Sequence, residues 1–259
     1  MNFTKDPEII ARVPHVDVCA CQVGLPFEFT MAFQPIWDWR AQKVFAYEAL
    51  VRGKDGCGAG AILSQVTAKN KYAFDQACRV TAIRLAAELA MPKDCFLSIN
   101  FLPNAIYDPN TCIRATLEAA EQYQFPYKQI MFEMTEQEGL SDNSHLTNIV
   151  EAYQKLGFIT AIDDFGQGYS GLHLLSQFQP DVLKIDMDLV QGIATDPVKH
   201  AIVEGIVLMC NRLNIQLIAE GIETVDDMKT LMDLGIPYLQ GYLLARPEIE
   251  TLPEIQVRN

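Results

Sequence analysis

Two adjacent aspartates, Asp163 and Asp164, end an apolar run that is typical of a buried strand, and a glycine-rich turn follows them. Neighbouring carboxylates repel one another and are costly to bury unless a positive charge lies with them. Single polar residues stand within or just after other apolar runs in the same way: Glu48, Asn100, Glu133, Lys184, Glu220 and Gln240. A helix cap or a local ion pair would explain any one of these residues. Eight of them at the ends of successive runs indicate a chemical site.

The charges of this set indicate what it would bind. Its five carboxylates contribute −5 and Lys184 contributes +1, which leaves a net charge of −4. Two divalent cations would neutralise that charge, and carboxylates with one Asn carbonyl and no Cys or His favour Mg²⁺ or Mn²⁺ over zinc. Paired cations of this kind commonly promote in-line attack of water on phosphorus. In such a site Asp163 or Asp164 would bridge the two cations and the other would hold the second.

Two basic residues have both a functional and a structural interpretation. Lys184, in the segment KIDMD, either orients the attacking water and stabilises charge on phosphate or serves as the counter-ion of Asp186. Arg52, which follows Glu48 by four residues, either holds a phosphate through paired hydrogen bonds or is a solvated arginine at a strand end. Both pairs of alternatives stay open at this stage.

A set of this kind requires strands that end at one edge. Short β-rich runs alternate with longer amphipathic stretches, and the runs are 31–36, 43–51, 95–101, 129–135, 158–164, 181–186, 215–221 and 238–244. About eight strands at this length favour an α/β fold, a (β/α)₈ TIM-type barrel, whose catalytic groups lie at the carboxyl ends of the strands. The alternative is a doubly wound open sheet, but no G-x-G-x-x-G loop follows the first strand. The first two runs are separated only by residues 37–42, which predicts an antiparallel first strand.

Helix signals support the alternation. The pattern predicts helices over 72–90 and 196–213, the second with Asp196 as N-cap and Pro197 at its first position. Thr224 is in a similar capping position before another helix.

Composition narrows the class of protein. The chain has 259 residues, 49% of them hydrophobic and 20% charged, as in a globular protein, and no apolar run approaches the roughly 20 residues that span a bilayer. The N-terminus lacks the apolar core of a signal peptide, so we expect a cytoplasmic location. The seven cysteines form no CxxC pair, and Cys19 and Cys21 with His15 are too few ligands for a convincing metal site. A net charge of −13 disfavours nucleic acid and membrane as partners but permits a small phosphorylated ligand beside bound cations.

Seven motifs in order resemble the EAL family of bacterial cyclic di-GMP phosphodiesterases: YEALVRG, SINF, FEMTE, IDDFGQGYSGL, LKID, IAEGIET and YLQGYLLARP. The resemblance runs from about Phe29 to Pro247. It implies a barrel with an antiparallel first strand and an enzyme, a cyclic-guanylate-specific phosphodiesterase, that hydrolyses cyclic di-GMP to linear pGpG with a two-metal-activated water. It also implies one domain over 26–259 after an N-terminal extension over 1–25.

The resemblance implies a role for each matching position. Glu48, Asn100, Glu133 and Asp163 would hold one Mg²⁺ or Mn²⁺, and Asp163 would bridge to a second held by Asp164 and Glu220. The catalytic residues would be Glu48, Lys184, Glu220 and Gln240. Substrate contacts would come from Gln34, Leu50, Arg52, Asp186, Gln240, Arg246 and Pro247. Glu223 would steady the loop after Asp164, which contains Gly166, Gln167 and Gly168.

The sequence departs from the family pattern at three positions, two in or next to the loop after Asp164 and one beside the predicted substrate contact Arg52. Gln167 stands where family members usually have threonine, Gly171 where they often have serine, and Gly53 where a bulky residue commonly follows the arginine.

The resemblance further implies a homodimer, inhibition by Ca²⁺, and control by a regulatory partner or a fused sensory domain. The alternatives are a receptor that binds cyclic di-GMP without cutting it, a protein-interaction module, and an unrelated metal barrel.

Overall fold

The computed structural model describes residues 25–106, 108–135, 143–168 and 171–256. The strands in these ranges are β1 Thr30–Asp38, β2 Lys43–Arg52, β3 Phe96–Asn100, β4 Ile130–Thr135, β5 Ile159–Phe165, β6 Val182–Ile185, β7 Gln216–Ala219, β8 Tyr238–Leu239 and β9 Glu248–Ile249. The α-helices are α1 Ala59–Leu63, α2 Lys71–Glu88, α3 Pro109–Cys112, α4 Arg114–Gln122, α5 Asn143–Leu156, α6 Gly171–Gln177, α7 Met187–Val190, α8 Pro197–Leu213 and α9 Val225–Asp233.

The strands close into a barrel. β2 through β8 pair in sequence order as parallel neighbours. β1 pairs antiparallel with β2 on one side and with β8 on the other, and the short β9 also pairs with β1. The predicted TIM-type barrel with an antiparallel first strand is therefore confirmed, and the open-sheet alternative is excluded.

The connection between β1 and β2 is a tight hairpin. Trp37 and Asp38, expected in the connection, continue β1, so that only residues 39–42 form the turn. Asp38 Oδ1 accepts hydrogen bonds from the backbone N–H groups of Arg40 at 3.0 Å and Ala41 at 2.9 Å, as aspartates do in turns. This turn reverses the chain and makes the first strand antiparallel.

An apolar layer fills the barrel interior. It consists of Ile36, Ala46, Met131, Ala161, Val182 and Ile218, none more than 2% exposed. Side chains alternate along a strand, so the residue two positions further on points into the barrel as well. On β2, β4, β5, β6 and just after β7 that next residue is polar: Glu48, Glu133, Asp163, Lys184 and Glu220. The apolar layer is thus the floor beneath the polar set.

The predicted helix starts are confirmed. The carboxylate of Asp196 accepts from the backbone N–H groups of Val198 and Lys199, and Pro197 occupies the first turn of α8. Thr224 accepts from the backbone N–H of Asp227 at the start of α9. The predicted helix over 72–90 corresponds to α2.

The eighth strand is shorter than predicted. The expected run 238–244 pairs only at Tyr238 and Leu239, because the chain then turns away from the barrel wall. Gln240 accepts from the N–H of Ile222 at 3.0 Å, and Leu244 donates to the carbonyl of Gly241 at 3.0 Å. β6 and β7 likewise end before their predicted limits of 186 and 221, so Asp186 and Glu220 lie just beyond the strands.

The structure also bears on the expected lack of a membrane span and of a disulfide framework. Among the described helices, none combines the length and the apolar character needed to cross a bilayer. Cys57, Cys78, Cys95, Cys112 and Cys210 are free thiols. His15, Cys19 and Cys21 lie outside the described residues, as does nearly all of the predicted extension 1–25.

Candidate active site

The predicted polar set converges at the carboxyl ends of the parallel strands. Glu48, Glu133, Asp163, Lys184 and Gln240 are buried, Asp164 and Glu220 are half-buried, and Asn100 is exposed at the end of β3. Charged groups buried at one end of a barrel require compensation from one another or from a bound ion. The contacts among these side chains show how much of the charge compensation the chain itself provides.

Lys184 lies at the centre of the cluster. Its side chain is 0% exposed, and its Nζ lies 2.7 Å from Glu220 Oε1, 3.0 Å from Glu133 Oε2, 3.1 Å from Asp163 Oδ1 and 3.4 Å from Glu48 Oε2. Burial acts to lower the pKa of the ammonium, but these carboxylates raise it well above its ordinary value, so Lys184 is charged. Among the described residues no ion pair joins Lys184 to Asp186, and the counter-ion interpretation of Lys184 is therefore wrong.

Glu48 connects the cluster to two amide side chains. Asn100 Nδ2 donates to Glu48 Oε1 at 3.0 Å, and Gln240 Nε2 donates to Glu48 Oε2 at 2.8 Å. The Oε1 atom of Gln240 is buried and has no hydrogen-bond partner among the described residues. The amides thus fix the Glu48 carboxylate and leave an acceptor available.

A bulge in β5 brings both adjacent aspartates into the site. The pairing of β5 with β6 shifts its register between Ile162 and Phe165, and Asp164 adopts φ 54°, in the left-handed region. Such a bulge re-aims side chains that would otherwise point to opposite faces. One carboxylate oxygen from each of Asp163, Asp164 and Glu220 lies within 4.8 Å of the other two. The backbone N–H of Asp164 donates to Asp163 Oδ1 at 3.0 Å, which orients the first aspartate.

Two groups of carboxylates have the chemistry of cation sites. Glu48, Glu133 and Asp163 form a second triplet within the same 4.8 Å limit, and Asp163 belongs to both triplets. The buried Oε1 of Glu133 has no well-formed hydrogen bond among the residues that the structure describes, although the nearby Ser98 hydroxyl acts to lower the pKa of this carboxyl. Buried acceptors of this kind indicate an ion or water. The all-oxygen donor set fits a hard divalent cation, and Lys184 alone leaves the set at −4.

Protonation reflects this excess of negative charge. Burial, together with the nearby Glu48 and Asp163, raises the pKa of Glu133 to about 8, although Lys184 opposes the shift. Burial and the neighbouring Asp163 and Asp186 raise the pKa of Asp164 to about 6. Burial and Asp163 also raise the pKa of Glu220 well above its usual range. Without a bound cation, the cluster therefore retains protons near neutral pH.

Two glycines allow the chain to place Glu220 and Gln240. Gly221, directly after Glu220, has φ 66°, which favours glycine. Gly241, directly after Gln240, lies so close to the next loop that a Cβ there would stand 2.1 Å from the carbonyl oxygen of Ile222. The glycines in the EGIET and QGY motifs are therefore needed for the site geometry.

The predicted substrate residues surround this cluster to different degrees. Gln34 is buried opposite Glu48 in the β1–β2 pairing, and its Nε2 donates to the carbonyl of Ala245 at 3.1 Å. Leu50 and Arg52 are half-buried on β2, with Arg52 Nη1 donating to the carbonyl of Val51 at 2.7 Å. This contact leaves both interpretations of Arg52 open.

Asp186 and the C-terminal motif complete the predicted substrate set. Asp186 is buried and accepts from the backbone N–H of Asp188 as the N-cap of α7. Arg246 is exposed, with its guanidinium carbon 4.3 Å from the ring centroid of Tyr242, and Pro247 is half-buried beside it. None of these contacts involves a substrate, so the substrate roles stay predictions.

The loop after Asp164 is described as far as Gly168. Gly166 has φ 105°, and a Cβ there would lie 2.4 Å from Leu189 Cδ1. The N–H of Gln167 donates to the carbonyl of Asp164 at 3.1 Å. Glu223 is exposed, and its role toward this loop stays a prediction, since Tyr169 and Ser170 lie outside the described residues.

Three residues near the site were missed from the sequence. Tyr242 stacks on Arg246 and stands in the motif YLQGYLLARP, from which only Gln240, Arg246 and Pro247 were predicted to act. Asp75 and Arg79 form a fully buried ion pair on α2 at 2.8 Å. Two opposite charges four residues apart in the mostly apolar stretch YAFDQACRVTA were the available signal, but such pairs are usually solvated on helix surfaces.

Known proteins share this architecture. Residues 26–247 match the model of the EAL domain. The chain is 30% identical over 240 residues to the blue light- and temperature-regulated antirepressor BluF of Escherichia coli K12, covering 93% of this chain and 59% of BluF. It is 32% identical over 151 residues to the cyclic di-GMP phosphodiesterase PdeR of the same strain, covering 58% of this chain and 23% of PdeR. The chain thus spans less than two thirds of the length of these curated relatives.

Solved structures agree with the fold. A standalone versatile EAL protein from Vibrio cholerae O395, in a c-di-GMP bound form, is 51% identical with a TM-score of 0.87, and the match covers 90% of this chain and 98% of that chain. The manganese/cy-diGMP complex of Klebsiella pneumoniae BlrP1 at pH 9.0 is 33% identical with a TM-score of 0.83, and the match covers 88% of this chain and 58% of that chain. Together with the family match over most of its length, these findings establish that the chain belongs to the EAL domain family.

Proposed function

We propose that this chain is a divalent-metal-dependent phosphodiesterase that hydrolyses cyclic di-GMP to linear pGpG. The observation that carries the proposal is the pair of carboxylate triplets that share Asp163, with Lys184 between them. The proposal is supported by relatives that are named as cyclic di-GMP phosphodiesterases and by similar structures that contain c-di-GMP. The roles below are assigned to this chain's residues on that basis.

The donor set assigns two cation positions. Glu48, Asn100, Glu133 and Asp163 would hold one Mg²⁺ or Mn²⁺, and Asp163, Asp164 and Glu220 would hold the other. When bound, such cations lower the pKa of an attacking water and stabilise negative charge on the phosphoryl oxygens. Because the pKa of Glu133 is raised to about 8, this carboxyl would release its proton when a cation binds near neutral pH, and Asp164, with a pKa of about 6, would do so in more acidic solution.

Lys184 is the residue that this chain contributes to the attack itself. Four carboxylates hold its ammonium between the two triplets, and complete burial keeps competing water away from it. A fixed positive charge in a dry site stabilises negative charge that develops on a phosphoryl oxygen more strongly than one in solvent. The unpaired Oε1 of Gln240 would accept a hydrogen bond from the attacking water and so orient it.

The predicted substrate residues would bind the rest of the dinucleotide. Arg52 and Arg246 would meet the phosphates, and Gln34, Leu50, Asp186 and Pro247 would line the space beside them. The chain as a whole is acidic, with a net charge of −13, so an anionic substrate would enter only where cations and these arginines reverse the local field.

The remaining parts of the proposal concern the setting of the enzyme. Ca²⁺ should inhibit, because its larger radius and higher coordination number distort a site built for Mg²⁺. We further propose a bacterial, cytoplasmic homodimer with a single catalytic domain over 26–259, in which the loop containing Gln167 responds to a regulatory partner or fused sensory domain and Glu223 steadies it. The free thiols of the described residues are compatible with a reducing compartment.

The proposal is tested by incubating the purified chain with cyclic di-GMP and Mg²⁺ or Mn²⁺ and separating the products by chromatography. We expect pGpG with either ion, and none with Ca²⁺ or in the Glu48→Gln variant. Exposed Glu204→Gln on α8 is the matched control and should retain full activity. Tight binding of cyclic di-GMP without any product would instead assign the chain to the receptor class.

A further inference from the structure

A buried charged network lies outside the barrel, against the strands that carry two of the predicted cation ligands. It consists of Asp75 and Arg79 on α2 and Tyr153 on α5, none more than 2% exposed. Arg79 Nη2 lies 2.8 Å from Asp75 Oδ2, and Arg79 Nη1 donates to the hydroxyl of Tyr153 at 3.1 Å. The proposed reaction uses none of these three groups.

The network contacts the two strand ends directly. The guanidinium carbon of Arg79 lies 5.5 Å from the ring centroid of Phe101 and 5.0 Å from that of Phe132. Phe101 follows Asn100 and Phe132 precedes Glu133 in the chain. Because side chains alternate along a strand, Phe132 points outward to the helices while Glu133 points into the barrel. Arg79 is therefore stacked behind both ligand positions.

Asp75 holds the backbone at the same place. Its Oδ1 accepts from the N–H of Leu102 at 2.9 Å, two residues after Asn100. The N–H of Phe101 in turn donates to the carbonyl of Glu133 at 3.0 Å, which joins the ends of β3 and β4. The ion pair thus links α2 to the main chain on which Asn100 and Glu133 are placed.

Stability alone does not account for this network. A guanidinium buried away from water is costly, and apolar side chains of similar volume often pack as well or better. The Nε and Nη2 of Arg79 make no hydrogen bond among the described residues, so Nη2 meets Asp75 as an ion pair only and the hydrogen bonding of the guanidinium is incomplete. Arginine does, however, provide a flat face for aromatic rings and a rigid planar group whose two ends lie against Asp75 and Tyr153, which together define an orientation.

We propose that Asp75 and Arg79 are positioning residues that hold Asn100 and Glu133 at the spacing needed to bind a divalent cation. They act through Phe101, Leu102 and Phe132 and do not touch the cation or the substrate. This inference rests on the proposed function only in placing a cation at Glu48, Asn100, Glu133 and Asp163. Residues that orient metal ligands from behind typically change metal affinity about 10- to 100-fold when they are replaced.

The test measures Mn²⁺ binding and does not depend on turnover. The double variant Asp75→Leu/Arg79→Met removes both charges together, so that neither is left buried alone. Free Mn²⁺ is titrated by electron paramagnetic resonance, and thermal unfolding is followed with and without Mn²⁺. We expect a folded variant whose melting temperature without metal is close to that of the wild type, and a Kd for Mn²⁺ raised about 10-fold or more.

The matched control removes a buried polar contact at the opposite end of the barrel. Thr160, near the start of β5, donates through Oγ1 to Asp181 Oδ2 at 2.9 Å, and its side chain is 0% exposed. Thr160→Val should lower the melting temperature and leave the Kd for Mn²⁺ unchanged. A double variant that binds Mn²⁺ with the affinity of the wild type would overturn the proposal.

A second variant decides the question if the double variant does not fold. Arg79→Lys retains the charge beside Asp75 but lacks the planar guanidinium that packs on Phe101 and Phe132, so we expect a smaller rise in the Kd for Mn²⁺. Wild-type affinity in this variant would also overturn the proposal. A wild-type chain that binds Mn²⁺ but does not hydrolyse cyclic di-GMP would contradict the proposed function and leave this inference standing, so the two failures are distinguishable.

Discussion

Asp163 and Asp164 are adjacent in β5, yet one carboxylate oxygen of each lies within 4.8 Å of the other and of a carboxylate oxygen of Glu220. Regular strand geometry would point them to opposite faces. The register shift of β5 and the left-handed conformation of Asp164, at φ 54°, remove that restriction. Backbone strain of this kind is typical of functional sites. The relationship explains how one strand supplies ligands to two proposed cation positions.

Asp164→Asn should remove the second cation position while preserving the backbone. Asparagine tolerates the left-handed region, so the bulge can persist without the charge. We expect the number of bound Mn²⁺ ions to fall from two to one, and turnover to fall about 100-fold or more because a catalytic cation is worth several kcal/mol. Calorimetric titration and the chromatographic assay give the two readouts. Asp226→Asn, an exposed acid on α9, is the control; two bound ions in Asp164→Asn would contradict the assignment.

Lys184→Met should separate catalysis from cation binding. The variant removes the one positive charge among the set of eight polar residues and raises the negative charge of the cluster from −4 to −5. Cation affinity should therefore stay the same or increase, while kcat falls about 100- to 1000-fold through loss of charge stabilisation. Exposed Lys43→Met serves as control. A variant that loses Mn²⁺ binding but not kcat at saturating metal would refute the role given to Lys184.

The stability of the metal-free chain should decrease as pH rises through the range set by Glu133. The pKa of this carboxyl is raised in the folded state to about 8, from an ordinary value of 4.5, so between these values the folded state binds more protons than the unfolded state. Under that condition the free energy of unfolding falls with increasing pH. Asp164, with its pKa raised to about 6, adds to the decrease at the acidic end.

Saturating Mn²⁺ should offset the decrease in the free energy of unfolding at higher pH, because bound metal replaces the protons on these carboxyls. The rise in melting temperature on adding Mn²⁺ is therefore expected to grow from pH 5 to pH 8. Glu133→Gln should flatten the dependence measured without metal. A metal-free wild type that becomes more stable over this range would be inconsistent with the protonation described.

Gly241→Ala should destabilise the fold and displace Gln240. The new Cβ would lie 2.1 Å from the carbonyl oxygen of Ile222, a backbone atom that cannot move aside cheaply. We expect a loss of about 3 kcal/mol in the free energy of unfolding in urea, the upper part of the range for overpacking. Gly205→Ala is the matched control, because nothing lies within 4 Å of its Cβ position on α8. Gly205→Ala should increase the free energy of unfolding by about 0.5–1 kcal/mol. Equal effects in the two variants would contradict the close approach.

The barrel and most of its site could be predicted from the sequence because both follow from local pattern. Five of the interior-facing polar residues stand two positions after an apolar one on the same strand face, as Glu133 does after Met131 and Lys184 after Val182. Caps at Asp196 and Thr224 are likewise determined by neighbouring residues. These features need no knowledge of the tertiary fold.

Features that depend on distant contacts could not be predicted in this way. β8 ends at Leu239 because Gly241 meets the backbone of Ile222, a contact between two loops. Arg79 is buried because the rings of Phe101 and Phe132 close over it, whereas its sequence context is compatible with a solvated helix face. The bulge at Asp164 likewise depends on the register with β6.

Hydrolysis of cyclic di-GMP by a water attacking phosphorus is tested most directly by running the Mn²⁺-dependent reaction in H₂¹⁸O and weighing the product by mass spectrometry. The two-cation site predicts linear pGpG that carries one ¹⁸O on its terminal phosphate, and no product from Asp163→Asn. Cyclic di-GMP that stays intact with folded, Mn²⁺-bound wild-type protein, or a linear product without the label, would contradict the account.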